Sequence, residues 1–339
     1  MFMSLGKVII AIGLTAISLG AAQASDEVNV YSFRQEILVK PLFEAFEAET
    51  GIKVNVVFSK KGLIQRLKQE GINSPADIVL TADGAKLMQV TNQGLSQSVD
   101  SDVLNANIPA NLRDPDGRWF GLTKRARLIY ASKDRVNAGE ILTYEDLANP
   151  KWKGRICTRS GSHPYNNAWF SSMIVANGVA ETTGWLEGLK NNLARKPSGN
   201  DRAQVKAIWQ GECDIAIGNS YYMGKMLANK DQVAWADSVN LIFPNQAGRG
   251  THMNISGVSL TKSAPNKANA IKLMEFLSGD TAQKIYAEVN YEYPVKSGVA
   301  MSDLVKSWGQ FKEDQVSLAD VVAQALTASK MVDKVGYNE

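Results

Sequence analysis

The stretch with the most chemical potential is Asn219-Ser220-Tyr221-Tyr222-Met223-Gly224, two phenols side by side directly after the apolar run Asp214-Ile215-Ala216-Ile217-Gly218. A β-branched run closed by Gly-Asn-Ser reads as a buried strand ending in a turn, which puts both phenols at a strand's carboxyl edge. Open α/β sheets hold their ligands at that edge. A free phenol gives up its proton only near pH ~10, so adjacent phenols make poor anions unless a strong cation joins them. A hard trivalent ion meets that need, because it prefers oxygen donors and deprotonates its ligands. The competing reading is structural: one tyrosine packs in the core and the other sits at a rim.

Two further places carry charge or hydrogen-bonding capacity. In Lys124-Arg125-Ala126-Arg127-Leu128-Ile129-Tyr130, arginine alternates with apolar residues, so a strand here points Arg125 and Arg127 the same way. A lone buried guanidinium is costly, so one or both must be solvated, paired or bound to an anion. In Ser162-His163-Pro164-Tyr165-Asn166-Asn167, proline after a polar residue is good helix-start chemistry, and the free N–H groups of such a start favour anions.

The elements that must position these groups alternate. Residues 28–32 read as a first strand, 37–49 as a helix stopped by Thr50-Gly51, 52–58 as a strand, 63–70 as a helix and 76–80 as a third strand. Such alternation builds a parallel sheet with right-handed crossovers. A second set starts at Ile156-Cys157-Thr158, with helices from 162 to about 176, 183–193 and 204–210 before the strand into Tyr221. Residues 255–260 read as a strand returning to the first set and 264–277 as a helix. The tail from about Ser302 reads as helices with Leu304, Val305, Trp308 and Phe311 on one face. No repeat, low-complexity tract or flexible linker separates the two sets, so crossing strands are expected to join them.

The 339 residues exceed what a single core usually serves, which points to two lobes. We place the first lobe at 25–124 plus 251–300 and the second at 125–250 plus 301–339. The formal charge is +3, falling to +2 without Lys7, and no basic run points to nucleic acid. Residues 1–24 combine one Lys, the apolar run Val8–Ile17 and Ala22-Gln23-Ala24, the pattern of a cleaved secretory signal rather than a span of ~20 residues. Cys157 and Cys213 are the only cysteines. In an oxidising compartment they suggest one disulfide, with two free buried thiols as the alternative.

Taken together, Tyr31-Ser-Phe-Arg-Gln35, Ser74-Pro-Ala-Asp77, Thr123-Lys-Arg-Ala-Arg127, Ser162-His-Pro-Tyr165-Asn166, Gly218-Asn-Ser-Tyr-Tyr222, the segment Gly248–Gly257 and Glu292-Tyr-Pro-Val295 resemble the periplasmic ferric-ion-binding proteins. These are the substrate-binding subunits of bacterial iron ABC transporters. The resemblance covers essentially the whole chain after the signal. It implies an α/β, two-lobed periplasmic binding protein of the type II, Venus-flytrap class with crossing hinge strands. By motif position it implies Tyr165, Tyr221 and Tyr222 as phenolate ligands of Fe3+, and Arg125 as the holder of a synergistic carbonate or bicarbonate, with Arg34 and Gln35 also facing the anion. Three phenolates neutralise a trivalent ion, and a guanidinium suits a planar oxyanion.

Many relatives carry His or His-Tyr as ligands in the first-strand loop; this chain has Gln35-Glu36 there, like the subgroup that relies on tyrosines plus carbonate. His163 and His252 occupy no family ligand position, Tyr31 is expected to line the cleft, and Glu36 reads as a solvated acid near a helix start. The function so implied is periplasmic capture of ferric iron by a monomer and delivery to an inner-membrane ABC permease. Binding of another solute, a polyamine or an oxyanion, is the alternative. No nucleophile elbow, phosphate loop or zinc-protease motif supports an enzyme.

Overall fold

The computed structural model describes residues 26–339; the expected signal segment lies outside the described residues. Strands β1 (Glu27–Ser32), β2 (Lys53–Phe58) and β3 (Ile78–Thr81) form the parallel ladder that the alternation predicts, in the order β2-β1-β3. The helix Glu36–Thr50 crosses from β1 to β2. It buries Leu38, Val39, Leu42, Phe43 and Phe46 at helical spacing, and Gly51 closes it in the left-handed conformation with φ 72° and an N–H bond to the Glu47 carbonyl.

Strand β4 (Phe120–Ser132) is far longer than sequence periodicity alone indicated, because its 13 residues serve both halves of the molecule. Its first half, residues 120–126, runs antiparallel to β8 (Met253–Leu260), which also pairs with β3. Beyond Ala126 it changes partners: residues 127–131 pair with β6 (Ile215–Asn219), and 129–132 with β7 (Val239–Ile242). Strand β5 (Ile156–Cys157) lies parallel to β6, and β9 (Tyr293–Pro294) adds to the first half of β4. The whole order is β2-β1-β3-β8-β4-β6-β5.

Two large cores flank this switch. One gathers Val30, Phe46, Ile78, Phe120, Leu260 and Met274; the other gathers Ile129, Trp152, Trp169, Phe170, Ile217 and Met331. The fold is therefore two-lobed, with β4 as a hinge strand. The tail is not confined to one side. Val305 packs with Ala126 and Leu128 at the crossing, Leu318 against the Leu87–Trp119–Ile255 cluster, and Met331 and Tyr337 in the second core.

The helix expected to open at Pro164 is present and runs on to Asn191, broken at Gly178, whose φ of 80° and ψ of 168° separate the two helices anticipated there. Cys157 and Cys213 are joined as a disulfide, Cα atoms 5.9 Å apart, at the ends of neighbouring strands.

Candidate ferric-ion site

The tyrosine pair sits where the strand ends, with one refinement: Tyr221 opens a short helix, Tyr221–Leu227, whose presence the aromatic and glycine content concealed. Both phenols are buried and their rings stack with centroids 4.1 Å apart. Gly224 in this helix lies so close to Tyr291 that a Cβ would come within 2.2 Å of its Cγ. Tyr165 stands on the first turn of the helix that starts at Pro164, where His163 Nδ1 accepts the Tyr165 N–H at 3.2 Å. Burial and the guanidinium of Arg159 keep the His163 imidazole neutral, its pKa lowered to about 3.

Asp201 organises this side of the site. Fully buried, it accepts Arg127 Nη1 at 2.8 Å, Arg159 Nη1 at 2.8 Å and the Asn219 N–H at 2.9 Å. Burial alone would raise its pKa, but the two guanidinium groups outweigh that and hold it below the usual carboxylate range. Arg127 also donates to Asn219 and Asn166. It is thus paired within the protein, while Arg125, on the same side of the strand, faces a cavity. Around the Tyr165 ring the guanidinium carbons of Arg125, Arg127 and Arg159 lie 6.0, 6.0 and 5.3 Å from the centroid.

That cavity, about 50 Å³, lies between the lobes. The first lobe contributes Arg34, Gln35, Ala82 and Glu292, the hinge strand contributes Arg125, and the second lobe contributes Tyr165 and Tyr221. Tyr222 backs the wall through its stack on Tyr221. Burial pushes the Tyr221 and Tyr222 phenols well up, Tyr221 further through its phenol neighbours, Tyr222 further through Asp201 and Tyr165. A larger cavity, about 260 Å³, opens beside Lys124, Ile255 and the tail residues Val316 and Leu318. Its walls carry no phenol, so the chemistry favours the smaller one.

Arg125 spends Nη2 on the carbonyls of Ala82 and Ile255, at 2.7 and 3.2 Å. Its Nη1 makes a 3.4 Å hydrogen bond to Thr123 Oγ1 and lies 3.7 Å from Glu292 Oε1, and its buried Nε has no hydrogen-bond partner. The Nε of Arg34 is likewise without a partner, but both its terminal nitrogens are engaged, by Glu292, by Ser256 and by Thr123. Gln35 is exposed at the rim and Tyr31 is buried away from the cavity, donating to Glu70 at 2.9 Å. Sequence reasoning missed Asp201 and Glu292 as site residues. Neither has a local signal, since each acquires its partners only through the tertiary fold.

Residues 34–284 match the bacterial extracellular solute-binding protein family. The chain belongs to that family. Its relatives include proteins named for iron uptake and for ferric-iron binding. It is 46% identical to iron uptake protein A1 of Synechocystis, over 92% of this chain and 87% of the relative. The apo ferric ion-binding protein A of Pasteurella haemolytica superposes with a TM-score of 0.89 at 52% identity, covering 93% of this chain and 99% of that one. A Trichodesmium protein solved in complex with iron and citrate superposes with a TM-score of 0.87 at 44% identity, covering 92% and 99%. As a member of this solute-binding family the chain is a periplasmic binding protein and not an enzyme.

Proposed function

We propose that this protein captures ferric iron in the periplasm through the phenolates of Tyr165, Tyr221 and Tyr222, aided by a carbonate on Arg125, and delivers it as a monomer to an inner-membrane ABC permease. The observation that carries the reading is the meeting of Tyr165 and Tyr221 with Arg125 on one small interlobe cavity, with Tyr222 stacked behind. The relatives named for iron uptake and ferric-ion binding support the choice of cargo. The proposed lobes are 25–124 plus 251–300 and 125–250 plus 301–339, a division supported by the change of partners at Ala126.

Charge balance supports both the ion and the anion. Three phenolates offset the three charges of iron. The surrounding guanidinium groups of Arg34, Arg125, Arg127 and Arg159 face two carboxylates, Glu292 and Asp201. The surplus of two positive charges suits a dianion such as carbonate and disfavours a polyamine. Arg125, on the cavity wall with an Nη1 held only by a 3.4 Å hydrogen bond, is the group to hold it; Gln35 stands at the rim, and Arg34 acts behind Glu292. Closure of the lobes around the hinge strands follows the usual behaviour of periplasmic binding proteins.

The test is a titration of the purified protein with ferric citrate, with and without bicarbonate, followed by the visible phenolate-to-iron absorption. Replacement of Tyr221 or Tyr222 by Phe should abolish that band. An unchanged spectrum in either variant refutes the ligand assignment, and a colourless wild type that still binds an oxyanion favours the metal-free alternative.

A further inference from the structure

Glu292 is a carboxylate, its side chain only 1% exposed, on the wall of a cavity built to gather anions. Arg34 Nη2 donates to both its oxygens at 2.9 Å, and Oε1 lies 3.7 Å from Arg125 Nη1. The other terminal nitrogen of Arg34 is taken by the hydroxyls of Ser256 and Thr123. Both guanidinium groups that reach the cavity keep a buried Nε without a partner, but only Arg125 also has a weakly engaged terminal nitrogen, its Nη1.

We propose that Glu292 determines which anion accompanies the iron. Its carboxylate occupies the place on Arg34 that the second head of a two-headed anion would otherwise take, so the site accepts a one-centred oxyanion of carbonate size and rejects a dicarboxylate. This rests on the tyrosine-and-anion reading given above. Three observations favour a selective role over that of a plain counter-ion. Glu292 faces the cavity instead of pointing into a core. Its grip on Arg34 is made at the end of the guanidinium that would otherwise meet a ligand. The cavity's 50 Å³ leaves room for about four water-sized groups, enough for an ion and a small oxyanion but not for a larger acid. With both terminal nitrogens of Arg34 already matched, the site rejects a ligand whose second head would need them.

The experiment measures apparent iron affinity from the visible absorption in bicarbonate-depleted buffer, with bicarbonate or oxalate as the sole added anion. Glu292→Ala vacates the carboxylate's place beside Arg34, and the second head of oxalate can fill it. The ratio of oxalate-supported to bicarbonate-supported affinity should then rise by about tenfold over wild type. Glu292→Gln keeps the shape and removes the charge. It should move the ratio the same way by a smaller factor, and it decides the matter if the alanine variant does not fold. A ratio that stays within about twofold of wild type while both anions weaken together overturns the proposal and leaves Glu292 a counter-ion. Absence of the band from the wild type with either anion overturns the tyrosine reading, and this inference with it.

Discussion

The Asp201 carboxylate lies 2.8 Å from Arg127 Nη1 with both side chains fully buried, and this pair pins the end of the strand that leads into the tyrosines. Its hold extends through the Asn219 N–H to the residue two before Tyr221. Removing one partner of a buried pair leaves an uncompensated charge. Asp201→Asn should therefore destabilise the protein by about 3–5 kcal/mol, read as a lower denaturant midpoint. The folded pKa of Asp201 is depressed, so its contribution is present above the unfolded value of about 3.9 and is lost as pH falls through the lower folded value. An unchanged midpoint in the variant would show that the pair contributes nothing net.

Iron binding must displace protons, since Tyr221 and Tyr222 are held as neutral phenols by burial and by their neighbours. Acid therefore opposes binding. Apparent affinity should fall by at least about two decades per pH unit on acidification near neutrality, one proton for each of these phenols. Competition titrations against a chelator of known pH response measure the slope, and a slope near zero would exclude phenolate ligation.

Gly224 has no room for a side chain: a Cβ there meets the Tyr291 ring at 2.2 Å. Gly224→Ala should force Tyr291 or the Tyr221–Leu227 helix to shift, costing about 1–3 kcal/mol of stability. Iron affinity should fall as well, although no ligand is altered. Retention of wild-type affinity would mean that the ring yields without moving the tyrosines.

The Cys157–Cys213 bridge closes a loop with a sequence separation of 56. The chain-entropy relation gives about 4 kcal/mol for such a loop. Reduction, or the double replacement by Ser, should lower the thermal midpoint and weaken iron binding, because the bridged strands β5 and β6 lead toward Tyr165 and Tyr221. Equal stability with and without reductant would contradict this.

Much of the architecture was legible in the order of the residues. The strand–helix alternation of the first 80 residues yields the parallel ladder, and the spacing of Leu38, Leu42, Phe43 and Phe46 marks the buried face of its first helix. The alternation at Arg125 and Arg127 shows a strand, but only the fold separates their fates: Arg127 meets Asp201, while Arg125 lines the interlobe cavity. The full length of β4 stayed hidden because Phe120–Ser132 is buried nearly throughout and so lacks a solvent face to give it a period. The sequence marks Arg34 as an anion contact but gives no sign of its partner Glu292, 258 positions away. Contacts of that span leave no trace in local pattern.

Arg125 lies one residue before Ala126, the last residue of β4 that pairs with β8. In any scissor motion of the lobes it occupies the fulcrum, the place that travels least, while Tyr165 and Tyr221 ride one blade. On the proposed reading, the anion's anchor is thereby a stationary reference, and opening the jaws carries the phenols away from it instead of dragging every donor outward together. Unloading can then proceed by parting two sets of oxygens, without first unmaking either one.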